Sequence, residues 1–199
     1  MALVEQVAVA TTNRKKIEEI SHILAGTGIT LRGLHEFPDC PEVVEDAETF
    51  EGNALKKARE VCAHTGLPAL ADDSGLEVDA LQREPGVYSA RYSGPGATDI
   101  RNTDLVLERL GETPDAERTA RFRCVIAFVT PEGAEQTFDG SVEGRIAREP
   151  RGSNGFGYDP VFIPEGHERT FAEMSADEKH SMSHRGRALR AFAEFVRRG

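Results

Sequence analysis

Four stretches of the sequence bring together residue types suited to phosphate, metal and base chemistry. In the first, Thr11-Thr12-Asn13-Arg14-Lys15-Lys16 sits where an apolar run gives way to a helical pattern. Backbone N–H groups and the positive end of a helix dipole converge at such a junction, and three basic side chains follow at once, which together make a phosphate site. The same residues also read as an ordinary Thr/Asn cap followed by a solvated basic turn. The spacing is not that of a Walker A loop.

The second stretch, Asp72-Asp73-Ser74-Gly75, follows the short apolar run Leu67 to Ala71, and an acidic series of Glu42, Glu45, Asp46, Glu48 and Glu51 lies upstream. Carboxylates at a strand end can hold Mg²⁺, which takes one or two of them and fills its octahedron with waters and substrate phosphates. Asp-Ser-Gly is equally good β-turn chemistry. The third stretch, Arg151 to Pro160, sets three glycines around Phe156, Tyr158 and Asp159. Glycine allows close backbone approach, either aromatic offers a stacking face for a base, and Asp159 can accept from a sugar or base N–H; a purely structural Gly-rich loop is the competing reading.

The fourth, Lys179 to Arg187, is dense in cations. His180 and His184 have i, i+4 spacing but lack the HExxH pattern and an indicated third ligand, so Lys179, His184 and Arg185 read better as donors to phosphate or base than as part of a zinc site. No GxSxG elbow supports serine-nucleophile chemistry.

The elements that must position these residues follow from periodicity. Val4 to Thr11 predicts a buried strand, and Asn13 opens a helix that carries Ile17, Ile20, Ile23 and Leu24 on one face. A second helix begins near Thr49, carries Phe50, Leu55, Ala58 and Val61, and ends at Gly66. Thr98 or Asp99 caps a third, closed by Gly111 after Leu110. Ala120 to Thr130 and Gln136 to Ala147 predict long strands joined around Pro131-Glu132-Gly133. Ser175 and Ser183 each start a C-terminal helix, the second turning Leu189, Phe192 and Val196 inward. This order is mixed α/β, and two long adjacent strands argue against a wholly parallel sheet.

At 199 residues, 39% of them hydrophobic, the chain suits one folded unit or two lobes with a shared cleft. No apolar run approaches the roughly 18 residues of a membrane span, and the first residues lack a signal-peptide pattern, so a soluble, cytoplasmic protein is expected. A net charge of −10 argues against nucleic acid as a partner. Three scattered cysteines, Cys40, Cys62 and Cys124, suggest neither a disulfide framework nor a metal site and read as buried or idle thiols.

The chain resembles the inosine triphosphate pyrophosphatase family, also called Ham1-like or non-canonical purine NTP pyrophosphatases. The resemblance runs from ATTNRKKIEEI through TFEGNALKKA, ADDSGLEVDAL, PGVYSARYSG, FRCVIAFV and PRGSNGFGYDPVF to EKHSMSHRGRAL. It implies an elongated α/β fold of two lobes around a central nucleotide cleft, formed by residues 1–199 as one domain and usually dimerised with a second copy. It further implies Mg²⁺-dependent cleavage of ITP, dITP and XTP to monophosphate and pyrophosphate.

Carried over by motif, the segment Thr11 to Lys16 would hold triphosphate. Asp73 would be the catalytic acidic residue, as base, metal ligand or both, with Ser74 beside the substrate, and Glu45 would share the metal with Asp73. Phe156, Gly157, Tyr158 and Asp159 would line the base pocket, completed by Lys179, His184 and Arg185. One departure stands out: Gly52 occupies a position where relatives often carry glutamate. Glu51 is a displaced substitute at best, because one helical step turns a side chain by about 100°. The rival class is a nucleotide sensor that keeps the site without turnover.

Overall fold

The computed structural model of the chain describes residues 5–198, so Val4, the predicted start of the first strand, lies outside the described residues. Strand β1 (Gln6–Val9) leads to helix α1 (Arg14–Ile23), strand β2 (Thr30–Gly33), helix α2 (Phe50–Thr65) and strand β3 (Ala69–Val78). After helix α3 (Asp99–Leu110) come strands β4 (Thr119–Val129), β5 (Glu135–Ile146) and β6 (Phe162–Pro164), then helices α4 (Ala176–Met182) and α5 (His184–Arg198). The sheet order is β2-β1-β3-β4-β5-β6. β1 runs parallel to β2 and β3, whereas β5 and β6 are antiparallel, so the expected mixed α/β architecture is found.

Capping explains where the helices stop. Asn13, Thr49, Thr98 and Ser175 each accept first-turn N–H groups with their side chains. Gly66 ends α2 in the left-handed conformation at φ 66°, where a Cβ would be strained. Strands β4 and β5 are joined through Thr130 to Ala134, with Thr130 N–H donating to Ala134 O at 2.9 Å. The main difference from the periodicity is β3. Leu67 to Ala71 predicts a short strand that ends in a turn, but the strand continues to Val78, straight through Asp72-Asp73-Ser74-Gly75. The short strands β2 and β6 carry no period of their own in the sequence.

Two compact units divide the chain. The first comprises residues 1–73, 124–140 and 185–199, and the second comprises 74–123 and 141–184. Each has its own core. In the first, Val7, Ile20, Leu70, Ile126, Phe128, Leu189 and Phe192 pack together. In the second, Leu76, Val106, Phe122, Tyr158, Phe162 and Phe171 do so. A fully buried side chain of this kind stabilises by about 1.5–3 kcal/mol, so either core far outweighs the exposed ion pairs.

Candidate active site

The first unit gathers most of the chemistry. Along β3 successive side chains alternate between faces, so Asp72 and Asp73 point opposite ways and meet different partners. Asp73 is 6% exposed and receives the Lys57 ammonium at 3.1 Å and the Asn53 amide at 3.3 Å. Lys57 also contacts the Glu45 carboxylate and donates to the Asp72 backbone carbonyl at 2.7 Å. Asn53 in turn accepts from the Ala47 N–H at 2.9 Å, which ties the acidic loop to the start of α2. Burial pushes the Asp73 pKa up from its ordinary value, with the Glu45 charge adding to the effect and Lys57 only partly opposing it. Burial alone would lower the Lys57 pKa, but the charges of Asp73 and Glu45 prevail and raise it.

On the other face, Asp72 forms an ion pair with Lys16 and a forked pair with Arg185, whose Nε and Nη2 lie 2.9 and 3.3 Å from its oxygens. Arg185 reaches Glu19 with Nη1, and the Cys124 thiol donates to Asp72 Oδ2 at 3.1 Å. Burial would raise the Asp72 pKa, yet the charges of Arg185 and Lys16 hold it well below the carboxylate range. Cys124 is therefore not idle. Burial, reinforced by the Asp72 charge, pushes its pKa up and keeps it a thiol.

Several expectations change in detail. Thr12, Asn13, Arg14 and Lys15 are exposed and Thr11 is half-buried, as a binding segment requires. However, Asn13 Oδ1 accepts from the N–H groups of Lys15 and Lys16 at 3.1 and 3.2 Å, so these are not free for phosphate. Arg185, read from sequence as a base or phosphate donor, is 2% exposed and occupied with Asp72 and Glu19. Glu51 faces away as an acceptor for the Thr137 hydroxyl and does not replace the carboxylate missing at Gly52. A Cβ at Gly52 would lie 2.8 Å from that of Ala47, so glycine admits the close approach of the acidic loop.

The second unit holds the Gly-rich segment. Asp159 is 2% exposed; its Oδ2 accepts from Lys179 Nζ at 2.6 Å and from the Phe156 N–H at 2.9 Å. Lys179 lies 5.0 Å from the centre of the Phe156 ring, a cation–π distance. A Cβ on Gly155 would fall 2.0 Å from Asp159 Oδ2, and φ is +73° there, which accounts for that glycine. The Gly157 N–H donates to Asp99 at 2.8 Å. Tyr158 belongs to the core rather than to an exposed stacking face, and its hydroxyl donates to the Ser89 carbonyl at 2.7 Å. His184 stacks on Phe122 at 4.7 Å between ring centres. Ser74, the first residue of this unit, is half-buried.

The sequence reading gave Asp72 only a part in holding Mg²⁺, as one of two adjacent carboxylates, and assigned no role to Lys57 or Asn53. A signal existed for the last two: Phe50, Asn53, Ala54, Lys57, Ala58 and Val61 share the three-and-four spacing of one helix face, so two polar residues lie on the buried stripe.

Comparison with known proteins assigns the arrangement to a family: the Ham1 family pattern matches residues 7–195. The chain belongs to the Ham1 family. Its relatives include the dITP/XTP pyrophosphatase of Geobacter sulfurreducens, 54% identical over 92% of both chains. Another, the dITP/XTP pyrophosphatase of Mycobacteroides abscessus, is 49% identical over 96% of this chain and 95% of its own. Among solved structures, the HAM1 protein of Coxiella burnetii superposes with a TM-score of 0.89 at 43% identity, covering 98% of this chain and 99% of that one. The Ham1 protein of Staphylococcus aureus gives a TM-score of 0.86 at 38% identity, over 96% and 98% of the two chains. The expected family and its α/β fold are thus both found. No described helix of this Ham1 chain is long and apolar enough to cross a membrane.

Proposed function

We propose that the chain is a nucleoside triphosphate pyrophosphatase that cleaves the α–β phosphoanhydride bond of dITP, ITP and XTP, giving monophosphate and pyrophosphate and so clearing damaged purines from the nucleotide pool. The observation that carries the reading is the convergence of buried Asp73 and half-buried Glu45 on buried Lys57, within a chain so similar to proteins named for that reaction. A cytoplasmic location, expected from the sequence pattern, and a homodimeric assembly, implied by the family resemblance, complete the proposal.

Mg²⁺ fits the residues present. One oxygen of Glu45 and one of Asp73 already converge on a single cation, the Lys57 ammonium. Two carboxylates with the rest of the shell left to phosphates and water is the usual Mg²⁺ arrangement. When bound, the metal supplies charge neutralisation and Lewis acidity at the phosphates. The protein's own residues do the remainder. Asp73 takes a proton from the water that attacks the α-phosphorus as the bond to pyrophosphate breaks. A pKa raised by burial makes it a better base than an exposed aspartate. Lys16, at the N-terminus of α1 and steadied by Asp72, meets the charge that builds up on the leaving group.

Asp159 and Lys179 account for the choice against adenine, whereas guanine shares the 6-oxo and N1–H edge and must be refused through its 2-amino group. Hypoxanthine and xanthine offer a 6-oxo acceptor and an N1–H donor, which match a lysine donor beside a carboxylate acceptor, whereas adenine reverses both. Each buried mismatch costs about 1–3 kcal/mol. Ser74, Phe156 and the Gly157 backbone would border the nucleotide, and His184 would buttress the base side through its ring.

The test is pyrophosphate release from ITP, XTP, GTP and ATP with Mg²⁺ and again with EDTA. Release from ITP and XTP that EDTA abolishes, with little from ATP or GTP, is expected; absence of release from all four would sink the enzyme reading in favour of a sensor. A narrower check addresses the phosphate role. Lys16→Ala should weaken a triphosphate by about tenfold or more while leaving the monophosphate within about threefold, since a charge-assisted contact is worth roughly 1.5–3 kcal/mol. Equal losses for the two ligands, measured by calorimetry, would remove Lys16 from the phosphate site.

A further inference from the structure

Lys57 stands at the point where both proposed metal ligands converge. Its ammonium contacts the Glu45 carboxylate, lies 3.1 Å from Asp73 Oδ1 and donates to the Asp72 carbonyl at 2.7 Å. Three N–H donors thus meet three acceptors, and the group is 8% exposed. Helix α2 delivers it there from the buried stripe, one turn beyond Asn53. Two carboxylates that converge on one ammonium, the Asp73 one buried and the Glu45 one half-buried, repel each other unless a cation lies between them.

We propose that Lys57 is a positioning residue that acts as a tethered counter-cation for Glu45 and Asp73. It holds their oxygens convergent and, by its own charge, keeps their affinity for free Mg²⁺ low, so that the metal loads together with a triphosphate. The triphosphate supplies the negative charge that a lysine and a divalent cation require to share one small site. The long lysine stem allows the ammonium to withdraw toward the phosphates, and the Asp72 carbonyl offers it an acceptor outside the carboxylate pair. A free enzyme built this way does not sequester divalent cations in unproductive complexes. The inference rests on the assignment of the metal to Glu45 and Asp73.

The test uses the full chain and Mn²⁺ as the probe, with free Mn²⁺ read by its electron paramagnetic resonance signal, without nucleotide and with an α,β-methylene analogue of ITP. Without nucleotide, Lys57→Met and Lys57→Gln should bind Mn²⁺ about tenfold or more tighter than the wild type, because removing a like charge beside a divalent ion strengthens its binding. Lys57→Arg, which keeps the charge, should show no gain. With the analogue, the difference between Lys57→Met and wild type should shrink to less than about threefold, as the phosphate charge offsets that of the lysine. Adding Glu45→Gln to Lys57→Met should cancel the gain.

A purely structural lysine would give the opposite sign, since its loss would splay the carboxylates and weaken Mn²⁺ binding. Lys57→Gln retains N–H donors to the same acceptors and guards against a Met variant that fails to fold. If neither neutral variant binds Mn²⁺ more tightly while Glu45→Gln still weakens Mn²⁺ binding with the analogue, the counter-cation role is wrong and the metal assignment stands. If Glu45→Gln leaves Mn²⁺ affinity with the analogue unchanged, the metal assignment falls and the proposal falls with it.

Discussion

Asp73→Asn should lower pyrophosphate release from ITP by about 10³-fold or more while sparing affinity for the nucleotide. A general base alone contributes about 10²–10⁴-fold, and this carboxylate is also a proposed metal ligand. The amide is nearly isosteric and keeps an oxygen facing Lys57 and Asn53, so the fold should survive. The pH profile adds a signed check. The base form is lost as pH falls through the Asp73 pKa, which burial places above its ordinary value of 3.8, so wild-type kcat should drop on the acid side and the variant's residual rate should not follow that limb. Activity within tenfold of wild type would take Asp73 out of the mechanism.

The second large effect concerns stability. Asp72→Asn leaves Arg185 and Lys16 without the carboxylate that joins them, in a site where Arg185 is 2% exposed. Breaking a buried pair by removing one partner costs about 3–5 kcal/mol. For a chain of this size that is a fall of roughly 6–20 °C in Tm. Because the folded pKa of Asp72 is depressed, its contribution is present above the unfolded value near 3.8 and is lost as pH falls through the lower folded value. The gap in Tm between wild type and Asp72→Asn should accordingly be full at neutral pH and narrow only in strong acid. A variant that melts within about 2 °C of wild type at pH 7 would mean the network contributes little, as many replaced buried pairs do.

The two aspartates show what the sequence could and could not convey. Helices α1, α2 and α3 were legible because apolar period and caps coincide: Asn13, Thr49, Thr98 and Gly66 each act at the position their chemistry suggests. Asp-Asp-Ser-Gly was misleading because turn propensity is local, whereas here the strand ladder and buried cationic partners carry the backbone through it. Asp73 could be singled out only by resemblance to a family, since spacing alone does not distinguish it from Asp72. The Arg185 partnership was beyond reach, because it links residues 113 positions apart. Lys57 was within reach and overlooked; a lysine on a buried helical stripe calls for a carboxylate partner, and Glu45 and Asp73 were already under consideration. Tyr158 shows a limit of the same kind, since composition marks an aromatic in a glycine-rich loop but not that its ring packs in the core.

The path of the chain between the two units bears on synthesis. The first unit is assembled from three separated segments, and the last of them, from residue 185 onward, brings Arg185 to Asp72 and Leu189 and Phe192 to the core. On the ribosome, β1, α1 and β3 emerge long before that segment, so a growing chain holds the carboxylates of β3 without the guanidinium that Asp72 pairs with. Until α5 leaves the exit tunnel, the first unit lacks Leu189 and Phe192 from its core, and Asp72 has Lys16 but not Arg185 as a cationic partner. Apolar surface that awaits so late a segment is exposed to solvent, and to other chains, for most of synthesis.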